Sequence, residues 1–155
     1  MSQGVDYRGL KLRGPATLCV GASVDPSKPA EAAARLARRK VVAGAQFLVT
    51  QAVYGAEQVE AFREAYARET AHPQAVPILF GLPVLSKDGL LFGKVPEQTL
   101  RELDAGRPGD EIALEQVQEF RKRGMHHFYL VAPILRGGVR DYGAAQALLR
   151  RAASA

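Results

Sequence analysis

At 155 residues and 47% hydrophobic content, the chain can bury roughly 70% of its unfolded surface, enough for one globular core. Its formal charge of +5 comes from 21 basic and 16 acidic residues, and the basic runs (Arg38, Arg39, Lys40; Arg121, Lys122, Arg123) close helical patterns, where cations answer the negative helix end. That placement, with no basic stripe or recognised motif, argues against a nucleic-acid partner and fits attraction to anionic small molecules.

Met1 to Gly14 is polar, glycine-rich and without sustained period, and reads as an N-terminal arm; residues 15–155 read as a single α/β domain. Ala16 to Val24 (ATLCVGASV) has the length and apolarity of a buried strand, with Cys19 as a small buried hydrophobe. A lone cysteine excludes an intramolecular disulfide and a Cys-based zinc site. Asp25-Pro26-Ser27-Lys28-Pro29 breaks the strand, with Ser27 placed to cap and Pro29 suited to a first helical turn. Ala30 to Ala43 is dominated by helix formers, and Gly44 stands where a helix ends.

Gln46 to Val53 reads as the second strand. After Tyr54-Gly55, Val59, Phe62 and Tyr66 share one helical face, and His72-Pro73 stops that helix. Val76 to Leu82 is the third strand, followed by a loop over residues 83–94 and a short helix from about Pro96 to Asp104. Past Gly106-Arg107-Pro108-Gly109, Asp110 is placed to cap a helix carrying Ala113, Val117 and Phe120 on one face, ended by Gly124. His126 to Val131 is the fourth strand, and Tyr142 to Ala152 the closing helix. Apolar strands each followed by a helix predict about four parallel βα units in a covered sheet. No apolar run approaches the ~20 residues of a membrane span, and no signal-peptide pattern is present, so cytoplasm is the expected location.

Ligands of parallel βα arrays gather at the C-terminal strand ends. Here those ends offer Gly21 to Asp25, Gln51 to Tyr54, Gly81 to Pro83 and Ala132 to Arg136. Asp25 is their only carboxylate, with no histidine or second acid beside it. Glycine-rich phosphate loops, metal-ligand clusters and nucleophile elbows are all missing, so residue types alone assign no catalytic group and no metal.

The residues carry a further signal. Lys40-Val-Val-Ala-Gly44-Ala-Gln-Phe-Leu-Val-Thr50-Gln51 resembles the methylenetetrahydrofolate reductase pattern of helix end, A-G-A, strand and T-Q. Gly4, Asp6 and Gly9 are similar to a G-x-D-x-x-G linker of some bacterial members. Val20 to Pro26 is similar to their G-A-x-x-x-P strand end, and Pro77 to Pro83 to P-I-x-x-G-x-x-P, one residue short. Phe128 to Pro133 resembles the final strand in versions fused to homocysteine methyltransferases. The matches are colinear over about residues 4 to 150.

The resemblance implies the second half of a TIM-type (βα)8 barrel. It also implies an FAD-dependent oxidoreductase of one-carbon metabolism and methionine biosynthesis, converting 5,10-methylenetetrahydrofolate to 5-methyltetrahydrofolate. Gln51 matches the glutamine that contacts the folate pterin, an edge of mixed donors and acceptors that a primary amide suits; the alternative is a strand-end glutamine serving loop backbone. Arg39 and Lys40 match basic positions that approach FAD, against the alternative of a solvated helix end. Thr50 would line the flavin edge, although alternation sends one of Thr50 and Gln51 inward and the other outward. Phe92 stands in for an aromatic that stacks on folate, in a loop shorter than the family's, against plain core packing.

Two acidic positions expected before the Arg-Lys pair are here apolar, around Ala33 and Leu36. The first half of the family barrel is missing, and with it the glutamate proton donor and the aspartate near the flavin. Asp25 and Asp88 sit in the wrong units to replace them, so no activity is expected of this chain alone, and the electron donor is undetermined. His126 and His127 open a strand at the opposite end and are expected to pack or meet solvent. Four units leave two open sheet edges. Self-pairing into a homo-oligomer, a complementing N-terminal half-barrel subunit, or a non-catalytic folate- or flavin-binding remnant would each resolve them.

Overall fold

A computed structural model describes residues 4–6, 8–14, 18–70 and 76–153. Its sheet has four parallel strands in the order β1-β2-β3-β4: β1 (Gly21–Val24), β2 (Phe47–Ala52), β3 (Ile78–Pro83) and β4 (Phe128–Val131). Between and after them run α1 (Ala30–Val42), α2 (Ala56–Thr70), α3 (Glu97–Asp104), α4 (Gly109–Lys122) and α5 (Tyr142–Ala153). Right-handed crossovers between sequential neighbours put every covering helix on the same side of the sheet, and this is the arrangement of half a TIM-type barrel.

Period-two alternation divides the strands between two faces. Val24, Leu48, Thr50, Ile78, Phe80 and Leu82 point to the helices and are buried. There they meet Ala33, Ala34 and Ala37 of α1, Val59, Phe62 and Tyr66 of α2, and Val117 and Phe120 of α4. Alanines on α1 let that helix lie close to the strands, while the large side chains of α2 and α4 fill the space beyond. Two smaller clusters extend the core. Val84, Ala113, Ala132, Ala145 and Leu148 seat α5, and Leu85, Val95, Leu103 and Ile112 seat α3 against α4.

The other face carries Phe47, Val49, Leu79, Tyr129 and Val131, all half-buried. Its two large rings lie across neighbouring glycines. A Cβ on Gly21 would stand 2.2 Å from the Phe47 ring, and one on Gly81 would stand 2.6 Å from the Tyr129 hydroxyl. That hydroxyl donates to the Thr50 carbonyl at 2.5 Å, and burial raises the Tyr129 phenol above its usual range.

The helix boundaries follow their sequence signals at the C-termini. Gly44 and Gly124 adopt φ of 109° and 74° just past α1 and α4, the left-handed conformation that ends a helix at least cost on glycine. The N-termini differ from expectation. Pro29 and Pro108 occupy the cap positions of α1 and α4, with no side-chain capping bond. Ser27 instead donates to Asp25, and Asp110 lies inside the first turn, 2.6 Å from Arg151 of α5.

The first strand is also shorter than its apolar run. Pairing begins at Gly21, and Leu18, Cys19 and Val20 are exposed, because β1 is an edge strand with no neighbour on that side among the described residues. Cys19 is therefore not a buried hydrophobe. The fourth strand begins at Phe128, and His126 and His127 are exposed ahead of it. In the N-terminal arm, the Asp6 carboxylate accepts the amides of Arg8 and Leu10, both at 2.8 Å. That turn accounts for the aspartate of the G-x-D-x-x-G pattern. The His72-Pro73 stop lies outside the described residues. Among the described residues no helix is long and apolar enough to cross a membrane.

Candidate functional site

A cavity of about 590 Å³ opens at the C-terminal ends of β1 and β2, lined by Asp25, Ser27, Gln51, Tyr54, Phe92 and Lys94 among others. It lies in the size range of small-molecule sites, roughly 300–1,000 Å³. Three sequence segments converge there: the turn after β1, the end of β2, and the loop after β3.

The strand register positions its polar pair. Val24 on β1 is aligned with Thr50 on β2, so the next residues, Asp25 and Gln51, leave adjacent strands side by side, about 4.8 Å apart by strand spacing. Asp25 Oδ1 accepts the Ser27 amide at 3.0 Å and the Ser27 hydroxyl at 2.6 Å, which fixes the carboxylate's orientation. Opposite them, the Tyr54 hydroxyl donates to the Phe92 carbonyl at 2.6 Å. Gln116 of α4 donates to the Tyr54 carbonyl at 3.1 Å. Burial raises the Tyr54 phenol above its usual range, so it stays a donor at neutral pH. These bonds pin the loop that carries Phe92 to the mouth of β2.

Thr50 serves a different purpose from Gln51. The β2–β3 register shifts between Val49 and Ala52, a bulge that takes the Gly81 amide out of the regular ladder. Thr50 Oγ1 accepts that amide at 3.0 Å, and the side chain is 1% exposed. The threonine repairs the bulge from the helix side, while Gln51, next in sequence, is presented to the cavity. Thr50 therefore has no surface for a ligand.

The basic pair also separates from the cavity. Arg39 lines a shallow outer depression with Arg38, Val42 and Ala43. Lys40 Nζ donates to the Ser23 carbonyl. Of the residues singled out from sequence, Gln51 and Phe92 share one cavity, and Arg39, Lys40 and Thr50 do not join it. Phe92 is half-buried at the cavity wall and absent from the three apolar clusters, so it is not plain core. Asp25, set aside in the sequence as belonging to the wrong unit, stands beside Gln51; the register of β1 on β2 was the missing information. No group of three or more potential metal ligands occurs among the described residues.

These features define a four-unit parallel α/β protein with a mixed polar and aromatic cavity at its strand ends. No family model and no curated protein matches the sequence. Among solved structures, the fold is similar to that of an uncharacterized protein from Clostridium thermocellum that binds two copies of 5-methyl-5,6,7,8-tetrahydrofolic acid. The TM-score is 0.63 at 18% identity, covering 86% of this chain and 53% of that one. The chain thus spans about half the length of the structure it matches.

Proposed function

We propose that this chain is the folate-binding half of a barrel of methylenetetrahydrofolate reductase type, holding a reduced folate in the Asp25–Gln51 cavity. The observation that carries the reading is the convergence on one cavity of Gln51 and Phe92, the two residues that the resemblance matches to folate contacts. A pterin edge presents two adjacent donors, the ring N–H and the 2-amino group, next to a carbonyl acceptor. A carboxylate beside a primary amide complements that row, the carboxylate accepting and the amide both donating and accepting. Phe92 supplies an apolar wall, and Lys94 a cation for the negatively charged glutamate tail. The folate-binding neighbour of similar fold supports the same ligand class.

Flavin is a weaker fit. FAD would supply the hydride, but Arg39, Lys40 and Thr50 do not converge on a shared cavity. This favours a folate-binding module that contributes to reduction only with another half supplying the flavin site and proton donor. Calorimetric titration with 5-methyltetrahydrofolate tests the reading, with Gln51→Ala and Asp25→Asn as controls. Saturable 1:1 binding that each variant weakens about tenfold or more supports it, at about 1–3 kcal/mol per lost buried hydrogen bond. Absence of binding by the wild-type chain, or affinity unchanged in both variants, overturns it.

A further inference from the structure

The helices of this chain are segregated by charge. α1 carries Arg35, Arg38, Arg39 and Lys40 against Glu31, net +3, and α5 carries Arg150 and Arg151 with no acid, net +2. The helices between them reverse the sign. α2 has four glutamates against two arginines, α3 three acids against one arginine, and α4 four acids against two bases, each net −2. The two basic helices flank the two sheet edges that are unpaired among the described residues, where β1 pairs only with β2 and β4 only with β3.

Several of the exposed apolar residues belong to the elements at these edges: Leu18 and Val20 just before β1, Leu36 and Val42 on α1, Val139 just before α5, and Tyr142 and Leu149 on α5. Beside β4 and α5 is a largely apolar groove of about 730 Å³ whose charged lining is Arg121 and Arg140, with no carboxylate. The β1 edge is guarded. The Gln46 amide takes the Val20 carbonyl at 2.7 Å on the β2 side, so by alternation the Ser23 carbonyl faces outward, where Lys40 closes on it. A lysine at an open edge discourages unprogrammed strand addition.

From this pattern we propose that the two edges form one docking surface for a second protein, a βα half-barrel whose own edge helices are acidic. A second copy of this chain is disfavoured by charge. Closing a barrel with two copies sets α5 of one beside α1 of the other, at both seams, pairing net +2 with net +3. A partner with acidic edge helices meets attraction at both seams, buries the exposed apolar side chains and gives β1 and β4 their missing neighbours. The inference rests on the sheet edges and not on the folate cavity, so either can fail without the other.

The test uses an acidic-edged copy as the probe: Arg38→Glu and Arg39→Glu on α1, with Gln146→Glu and Arg150→Glu on α5. All four positions are exposed, and the changes take α1 to net −1 and α5 to net −1. Sedimentation velocity of the wild-type chain at about 150 mM salt, where charges beyond about 8 Å are screened, is expected to give monomer. A mixture of wild type and the acidic copy is expected to give a species of doubled mass that dissociates as salt is raised. The Arg38→Glu/Arg39→Glu variant alone, acidic on α1 and basic on α5, is expected to self-associate. Circular dichroism establishes that each variant is folded before mixing. A wild-type dimer at low salt would assign the surface to a second copy and overturn the proposal. So would folded variants that stay monomeric in every mixture.

Discussion

The two faces of this sheet are built from alternate residues of the same strands, yet they differ in what they hold. The helix-side face is dry and continuous, with Leu48 and Leu82 fully buried against Phe62 and Phe120. The other face is half-exposed and spans its width with two rings laid over two glycines, Phe47 on Gly21 and Tyr129 on Gly81. At its upper rim that face delivers Asp25 and Gln51 to the cavity. Helix packing and cavity lining are therefore divided between the faces at single-residue resolution, Thr50 turning one way and Gln51 the other.

If this division holds, the largest loss of stability comes from the helix side. Phe62 is fully buried and stacks on Tyr66 with ring centroids 6.0 Å apart. Phe62→Ala should cost about 3–5 kcal/mol, the cost of a large cavity in a packed core. The midpoint of urea unfolding reads this directly. A loss below about 1 kcal/mol would mean that the helix side is not the main source of stability.

On the open face a smaller effect is expected, with the opposite sense of volume change. In Gly81→Ala the new methyl would sit 2.6 Å from the Tyr129 hydroxyl and 2.7 Å from its ring. The ring must swing away and forfeit its bond to the Thr50 carbonyl, for about 1–3 kcal/mol. A double-mutant cycle sharpens the point. With Tyr129→Ala already in place, Gly81→Ala should cost little, and additive losses would show that the contact is not the cause.

The bulge between the faces comes next. Thr50→Val keeps the shape of the side chain and removes the acceptor of the Gly81 amide. Stranding that buried N–H should cost about 1–2 kcal/mol, and exchange of the Gly81 amide with solvent should accelerate. An unchanged exchange rate would show that the backbone had repaired itself.

The Thr50–Gln51 pair also marks how far the sequence could be read. Continuous apolar strands and glycine-ended helices made the four-unit order legible, because period and punctuation are local properties. Gln51 was legible through its A-G-A…T-Q setting. What the sequence withheld was long-range. Asp25 gained its place beside Gln51 only through the register of β1 on β2, and Phe92 came to the cavity through a bond from Tyr54, 38 residues away. Lys40 looked like a ligand-facing cation and turned to the Ser23 carbonyl of an unpaired edge. Cys19 looked buried because an apolar run says nothing of whether a neighbouring strand exists to cover it.

The smallest effect on stability belongs to the residue with the largest expected effect on binding. Gln51 is exposed, and none of the described hydrogen bonds involves its side chain, so Gln51→Ala should change the unfolding free energy by less than about 0.5 kcal/mol. The same change should weaken 5-methyltetrahydrofolate binding about tenfold. Asp25→Asn should behave similarly in binding, because the amide oxygen can still accept from Ser27 while the cavity loses its carboxylate charge, which under the proposal accepts from the pterin donors. Phe62→Ala, assayed where the variant remains folded, should show the inverse pattern of reduced stability and retained affinity. If Gln51→Ala instead destabilised the fold by a kilocalorie or more, the glutamine would belong to the architecture of the β2 rim. Its presentation to the cavity would then be a consequence of the bulge and no sign of recognition.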